Sequence, residues 1–168
     1  MSISFAISAY NEHEELKRLL DQLVQVVKPS DEIVIQLDTK STQDWVFQID
    51  ADETLSETFS RVVHEVLDVN EEIDLIAIPR VNIVNGLTQN DVIQWHWRLN
   101  EQGWVNWPDN QHRIFRNKPE IKWVNKVHEK VVGWKTYAEL PSEDDSYALY
   151  HIKDIDRQRM QNDFYSTI

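Results

Sequence analysis

The chain has no cysteine, so neither a disulfide framework nor a thiolate metal site supports it, and the fold must rest on a packed core. That fits a reducing compartment, and the expected location is cytoplasmic. Cations are scarce: 17 Lys and Arg against 29 Asp and Glu give a net charge of -12. A nucleic-acid or anionic-membrane surface needs a positive field, so this balance argues against both. No apolar run approaches membrane-spanning length, and Met1-Ser2-Ile3-Ser4-Phe5 lacks the basic and apolar segments of a secretion signal. Glycine occurs only three times, so turns must be built from other residues. Against these scarcities stand 168 residues of 41% hydrophobic content, enough for one domain with a real core. Seven tryptophans stand out, most of them between Trp95 and Trp134. Trp95, Trp97, Trp104 and Trp107 are candidates for stacking on a sugar or for packing in the core.

Ile3 to Ala9 alternates and breaks at Tyr10-Asn11-Glu12, a first strand ending in a polar loop. Asn11 and Glu14 have the spacing of a helix capping box. Leu16, Leu19, Leu20, Leu23, Val24 and Val27 then recur at helical spacing, and Pro29 stops the helix. Ile33 to Asp38 reads as a second strand with an acid at its end. Strand, helix and strand with short joints form a βαβ unit and predict a parallel sheet.

Trp45-Val46-Phe47-Gln48-Ile49-Asp50-Ala51-Asp52-Glu53 is a buried strand that delivers carboxylates to a sheet rim, where ligands of open α/β folds bind. Alternation along an extended chain points Asp50 and Asp52 to the same side. Two hard oxygen donors there suit Mg2+ or Mn2+ held against a diphosphate. The residues between the second strand and this one, Thr39 to Gln43, are too few for a parallel crossover, which takes about a dozen or more. Either the two strands form a hairpin or part of the chain is absent. Without Gly or Asn-Gly the hairpin has little turn chemistry behind it. The expectation is a longer chain with a break between Thr42 and Trp45, at Gln43-Asp44.

Beyond the acids, Thr54 and Glu57 predict a capping box opening a helix from Leu55 to Leu67. Strands are expected at Ile73 to Arg80, at His112 to Arg116 with Arg113 and Arg116 on one face, at Ile121 to Glu129, and at Tyr147 to Ile152. A helix from Asp154 to Tyr165 closes the chain. The guanidinium forks of Arg113 and Arg116 suit phosphates.

The ordered set of Ala9-Tyr10-Asn11-Glu12, Asp38, Ile49-Asp50-Ala51-Asp52-Glu53, Arg113-Ile114-Phe115-Arg116-Asn117 and Val127-His128-Glu129 resembles family 2 glycosyltransferases of the GT-A fold. The likeness is greatest to bacterial and phage enzymes related to lipopolysaccharide-core glucosyltransferases. It implies an α/β, Rossmann-like domain over 1-168 with a mainly parallel central sheet flanked by helices. The nucleotide-binding half would be 1-53, and 54-168 the acceptor-side half with the terminal helix. The implied reaction is a metal-dependent, inverting transfer from a nucleoside diphosphate sugar to a hydroxyl of a glycan, lipid-linked or other acceptor. The resemblance makes Asp52 the direct ligand of Mn2+ or Mg2+, with His151 completing the shell and Asp50 on the ribose or a metal-bound water. It places Asp38 on the nucleobase or ribose, and Glu12 with Ala9, Tyr10 and Asn11 at the nucleotide. Glu129 is the first choice of catalytic base, with His128 orienting it, and Asp109 the second. Trp107 is assigned to the acceptor side. A non-catalytic nucleotide- or sugar-binding module and a metal-dependent nucleotidyltransferase or phosphohydrolase are the alternatives.

Overall fold

The computed structural model describes residues 1–9, 12–35, 41–124 and 130–165, with side chains in the last helix described through 162. Its chain order begins β1 (Ile3–Ser8), α1 (His13–Leu23), β2 (Glu32–Ile35), β3 (Trp45–Asp50), β4 (Glu53–Leu55), α2 (Glu57–Val69), β5 (Leu75–Ile78) and β6 (Arg80–Asn85). It continues with α3 (Gln89–Gln94), β7 (Gln111–Arg116), β8 (Lys122–Val124), β9 (Lys130–Val132), β10 (Tyr137–Glu139), β11 (Leu149–Asp154) and α4 (Ile155–Tyr165). The large sheet has the order β10-β5-β7-β3-β1-β2. β1 pairs in parallel with β2 and β3, β10 with β5, and β7 alone runs against its neighbours β3 and β5. This is the mainly parallel α/β sheet expected from the βαβ pattern.

Period-two alternation makes the core. Ile3, Phe5 and Ile7 of β1 and Trp45, Phe47 and Ile49 of β3 are buried beside Leu19 and Leu23 of α1 and Phe59, Val63 and Leu67 of α2. Helix α2 begins later than the sequence suggests. Thr54 and Leu55 belong to β4, and the cap is Ser56, whose Oγ accepts from the Phe59 amide at 3.1 Å. Strand β4 is held to α1 by the Gln22 side chain, which donates to the Leu55 carbonyl at 2.7 Å and accepts from the Leu55 amide at 3.0 Å. Helix α1 starts at a Glu12 N-cap that makes no side-chain cap bond, so its start uses no capping box from Glu12, and Asn11 lies outside the described residues.

A second, three-stranded sheet has the order β4-β11-β6. Ala51 and Asp52 form the turn that carries the chain from β3 in the large sheet to β4 in the small one. The extended conformation behind the expected same-side placement of Asp50 and Asp52 therefore ends at Asp50.

β2 and β3 flank β1 and both run parallel to it, which excludes the hairpin. Residues 41–44, where a break was expected, run continuously into β3 and are tied to the start of β1. Thr42 donates its amide and hydroxyl to the Glu32 carboxylate at 2.7 and 2.9 Å. Asp44 accepts from the Ser2 amide and hydroxyl at 3.1 and 2.9 Å. Residues 36–40, between Ile35 and this anchored stretch, lie outside the described residues. The face of the large sheet opposite α1 and α2 is partly open. A cavity of about 250 Å³ there is lined by Ala6, Val34, Val46, Gln48, Phe115 and Trp123 among others. The β8–β9 hairpin covers the neighbouring part of that face through Ile121 and Val131, packed with Val46, Leu75 and Phe115.

Candidate functional site

The carboxylates at the end of β3 sit where the two sheets meet, in a ladder of alternating charge. Asp50 pairs with Arg113 Nη2 at 2.5 Å, and the same nitrogen donates to Glu53 Oε1 at 2.7 Å. Glu53 Oε1 also accepts from Arg80 Nη1 at 3.1 Å, and Arg80 Nη2 donates to Asp109 at 2.7 Å. Glu53 is wholly buried, so it needs both guanidinium groups as counter-charges. Burial pushes the Arg113 pKa down, but the charges of Glu53 and Asp50 outweigh this and raise it. Arg113 is thus a permanently charged post between the acids.

The ladder continues on the other side of the turn. His151 lies in the middle strand of the small sheet, in register with Asn82 of β6 and Glu53 of β4. Asn82 Nδ2 donates to Asp109 Oδ2 at 2.8 Å, which fixes the amide so that its oxygen faces His151 Nδ1 at 3.0 Å. Nδ1 therefore carries a hydrogen, and Nε2 is turned toward Asp52 Oδ2 at 3.2 Å. A lone pair on Nε2 facing a carboxylate oxygen is repulsive unless a proton or a metal cation lies between them. Ligands at about 2.1 Å in adjacent positions of a six-coordinate ion stand about 3 Å apart, so the observed separation fits Asp52 and His151 holding one cation. Burial raises the Asp52 pKa, yet the His151 bond and the charges of His151, Arg157 and Lys153 bring it down to about 2. This carboxylate is an anion at any physiological pH.

The remaining assigned residues fall into three groups. Glu12 reaches the site by an ion pair with Arg157 of α4, and Ala9 is exposed just past β1. Asp109 has its carboxylate bonded by Arg80, Asn82 and Gln111. Burial raises the Asp109 pKa, but the Arg80 charge and these bonds lower it further. Trp107 packs edge-on to Trp104 with centroids 5.0 Å apart. Their loop is anchored at the site through the bridge between Val105 and Asn82. Arg116 lies elsewhere. It is in register with Trp45 at the start of β3, the far end from Asp50, with its guanidinium 3.9 Å from the Trp45 ring centroid. Residues three apart on a strand cannot share a face, so the expectation that Arg113 and Arg116 do is corrected. Tyr10, Asn11, Asp38, His128 and Glu129 lie outside the described residues.

Five site residues carry no role from the sequence: Glu53, Arg80, Asn82, Lys153 and Arg157. Alternation pairs Arg80 with Asn82 and His151 with Lys153 on their strands, which is the signal that would find those three, while Glu53 and Arg157 carry no such signal. Burial and the charges of Arg80 and Arg157 lower the Lys153 pKa, against opposing pulls from Asp52 and Glu53, to about 8.

No family model and no curated protein matches the chain. Among solved structures, the crystal structure of S. aureus TarS 1-349, a GT-A-like glycosyltransferase, matches with a TM-score of 0.56 and 13% identity. The two chains share a fold, a mixed α/β arrangement with a central sheet flanked by helices. The match covers 90% of this chain and 60% of the TarS chain, so this chain spans less than two thirds of its neighbour's length. Among the described residues no helix is long and apolar enough to cross a membrane.

Proposed function

We propose that the chain is a metal-dependent glycosyltransferase that moves a sugar, with inversion, from a nucleoside diphosphate sugar to an acceptor hydroxyl. The observation that carries this reading is the Asp52–His151 pair, with its tautomer set by Asn82, at the rim where β3 delivers its acids. Asp52 and His151 would hold Mn2+ or Mg2+, whose chemistry here is to offset the charge gathering on the diphosphate leaving group. Imidazole among the ligands favours Mn2+. Arg113 is committed to Asp50 and Glu53 and orients the acids rather than gripping a phosphate. Asp50, about 38% exposed at its side chain, presents its free edge to the donor. Asp109 is saturated by donors and poorly suited to take a proton, which favours Glu129 as the base. Acceptors of the glycan or lipid-linked class would enter over the Trp104–Trp107 side, next to Asn82.

The test is a screen of nucleoside diphosphate sugars for release of nucleoside diphosphate, with and without Mn2+, and with Asp52→Asn as control. We expect Mn2+-dependent release that falls about a hundredfold or more in the variant, as for loss of a transition-state charge stabiliser. Normal turnover by Asp52→Asn would sink the metal assignment. A non-catalytic binding module is the second reading. It is favoured by the full pairing of the site acids with the chain's own cations and by the lack of a group of three or more metal-ligating side chains among the described residues. Donor binding without release would support it.

A further inference from the structure

Arg157 stands in the first turn of α4, which follows β11 with no intervening loop. Its Nη2 lies 3.2 Å from Asp52 Oδ2 and is bonded to Glu12, while its Nη1 is 3.5 Å from Glu15. Asp52 Oδ2 is thus shared, with His151 Nε2 and Arg157 Nη2 each 3.2 Å away. A divalent cation taken up by that oxygen would face a guanidinium a few ångströms off, and like charges at that range repel strongly even at the effective dielectric of a partly exposed site. With both on one oxygen and no anion between them, each weakens the other's hold on the carboxylate. Arg157 is 37% exposed at its side chain, so it can leave Asp52 by rotating about its own bonds. Lys153, on the strand leading into the same helix, is a second half-buried cation, and its Nζ donates to Gln161 at 3.0 Å. Two cations thus flank the Asp52 carboxylate on the α4 side, with Glu12 and Glu15 to steady one of them.

We propose that Arg157 is an exchangeable counter-ion of the donor site: it holds Asp52 in the free protein, yields it to the divalent cation, and pairs instead with the diphosphate. The proposal rests on the reading of Asp52 as a metal ligand. It makes metal and diphosphate bind cooperatively, because each removes the penalty the other would meet. The free protein is guarded against cations in the absence of donor, and Arg157 acts as a positioning residue whose partner changes on binding.

The experiment measures binding, not turnover. Mn2+ is titrated alone, and then in the presence of inorganic pyrophosphate, into the wild type, Arg157→Gln, Arg157→Lys and Asp52→Asn, with folding checked by circular dichroism. We expect Arg157→Gln to bind Mn2+ alone on the order of tenfold more tightly than wild type, and its pyrophosphate complex on the order of tenfold more weakly. Arg157→Lys keeps the charge and should bind Mn2+ alone as wild type does. If Mn2+ binding is lost in Asp52→Asn but unchanged in Arg157→Gln, the exchange is overturned and the metal reading stands. Equal Mn2+ binding by Asp52→Asn and wild type, or no binding by any of them, overturns both.

Discussion

Glu53 shows at the residue scale how the site is kept from collapsing under its own charge. It is fully buried, accepts from Arg113 and Arg80, and also takes the Asp50 amide through Oε2 at 3.1 Å. Removing it would leave two guanidinium groups, one of them buried, with too little counter-charge. Glu53→Ala should therefore destabilise the protein by about 3–5 kcal/mol, the usual cost of breaking a buried pair. Chemical denaturation checks this, and a change under 1 kcal/mol would show that solvent already shields the arginines. The acidic run was legible in the sequence, yet only Asp50 and Asp52 stood out, because spacing says nothing about which acid the chain will bury. Arg80 and Asn82 were hidden for a related reason. They follow Pro79 in what reads as one strand's tail, and their chemistry exists only once β11 lies beside them.

Elements defined by long periodic stretches were the legible ones. The alternating cores of β1 and β3 and the leucine stripe of α1 fall where their patterns put them. Short elements set by tertiary pairing did not. β4 has three residues and exists because β11 pairs with it, so its sequence looked like the start of a helix. β8 and β9 are likewise three-residue strands paired antiparallel where one long strand was expected. That hairpin depends on a glycine just after β9. Gly133 has φ near +90°, and a Cβ there would stand 1.8 Å from the Glu120 carbonyl oxygen just before β8. Gly133→Ala should cost about 1–3 kcal/mol from backbone strain alone, with the clash in addition. A thermal melt that is unchanged would mean that the hairpin does not need this close approach.

Over the whole molecule, the net charge of -12 hides a local arrangement of the opposite tendency. Arg80, Arg113, Lys153 and Arg157 are drawn to one cluster of acids, so the chain's scarce cations are concentrated at the rim while the remaining surface is acidic. On the proposed function, an anionic donor would be repelled by most of this protein and admitted where the cations gather, and raising ionic strength should ease the approach.

The turn at Ala51 and Asp52 is also a joint. Asp50 closes a strand of the large sheet, Asp52 stands in the turn, and Glu53 opens the small sheet, to which His151 and Arg80 belong as well. Any molecule that grips both sides of the turn acts as a splint between the two sheets, added to the Arg113–Glu53 bridge that already crosses from one to the other. Its mark should be mechanical before it is chemical. Amide hydrogen exchange in β4, β6 and β11 should slow when a nucleoside diphosphate sugar and Mn2+ are added, while β10, at the far edge of the large sheet, keeps its rate. Slowing spread evenly over both sheets would mean that the joint is already locked in the free protein.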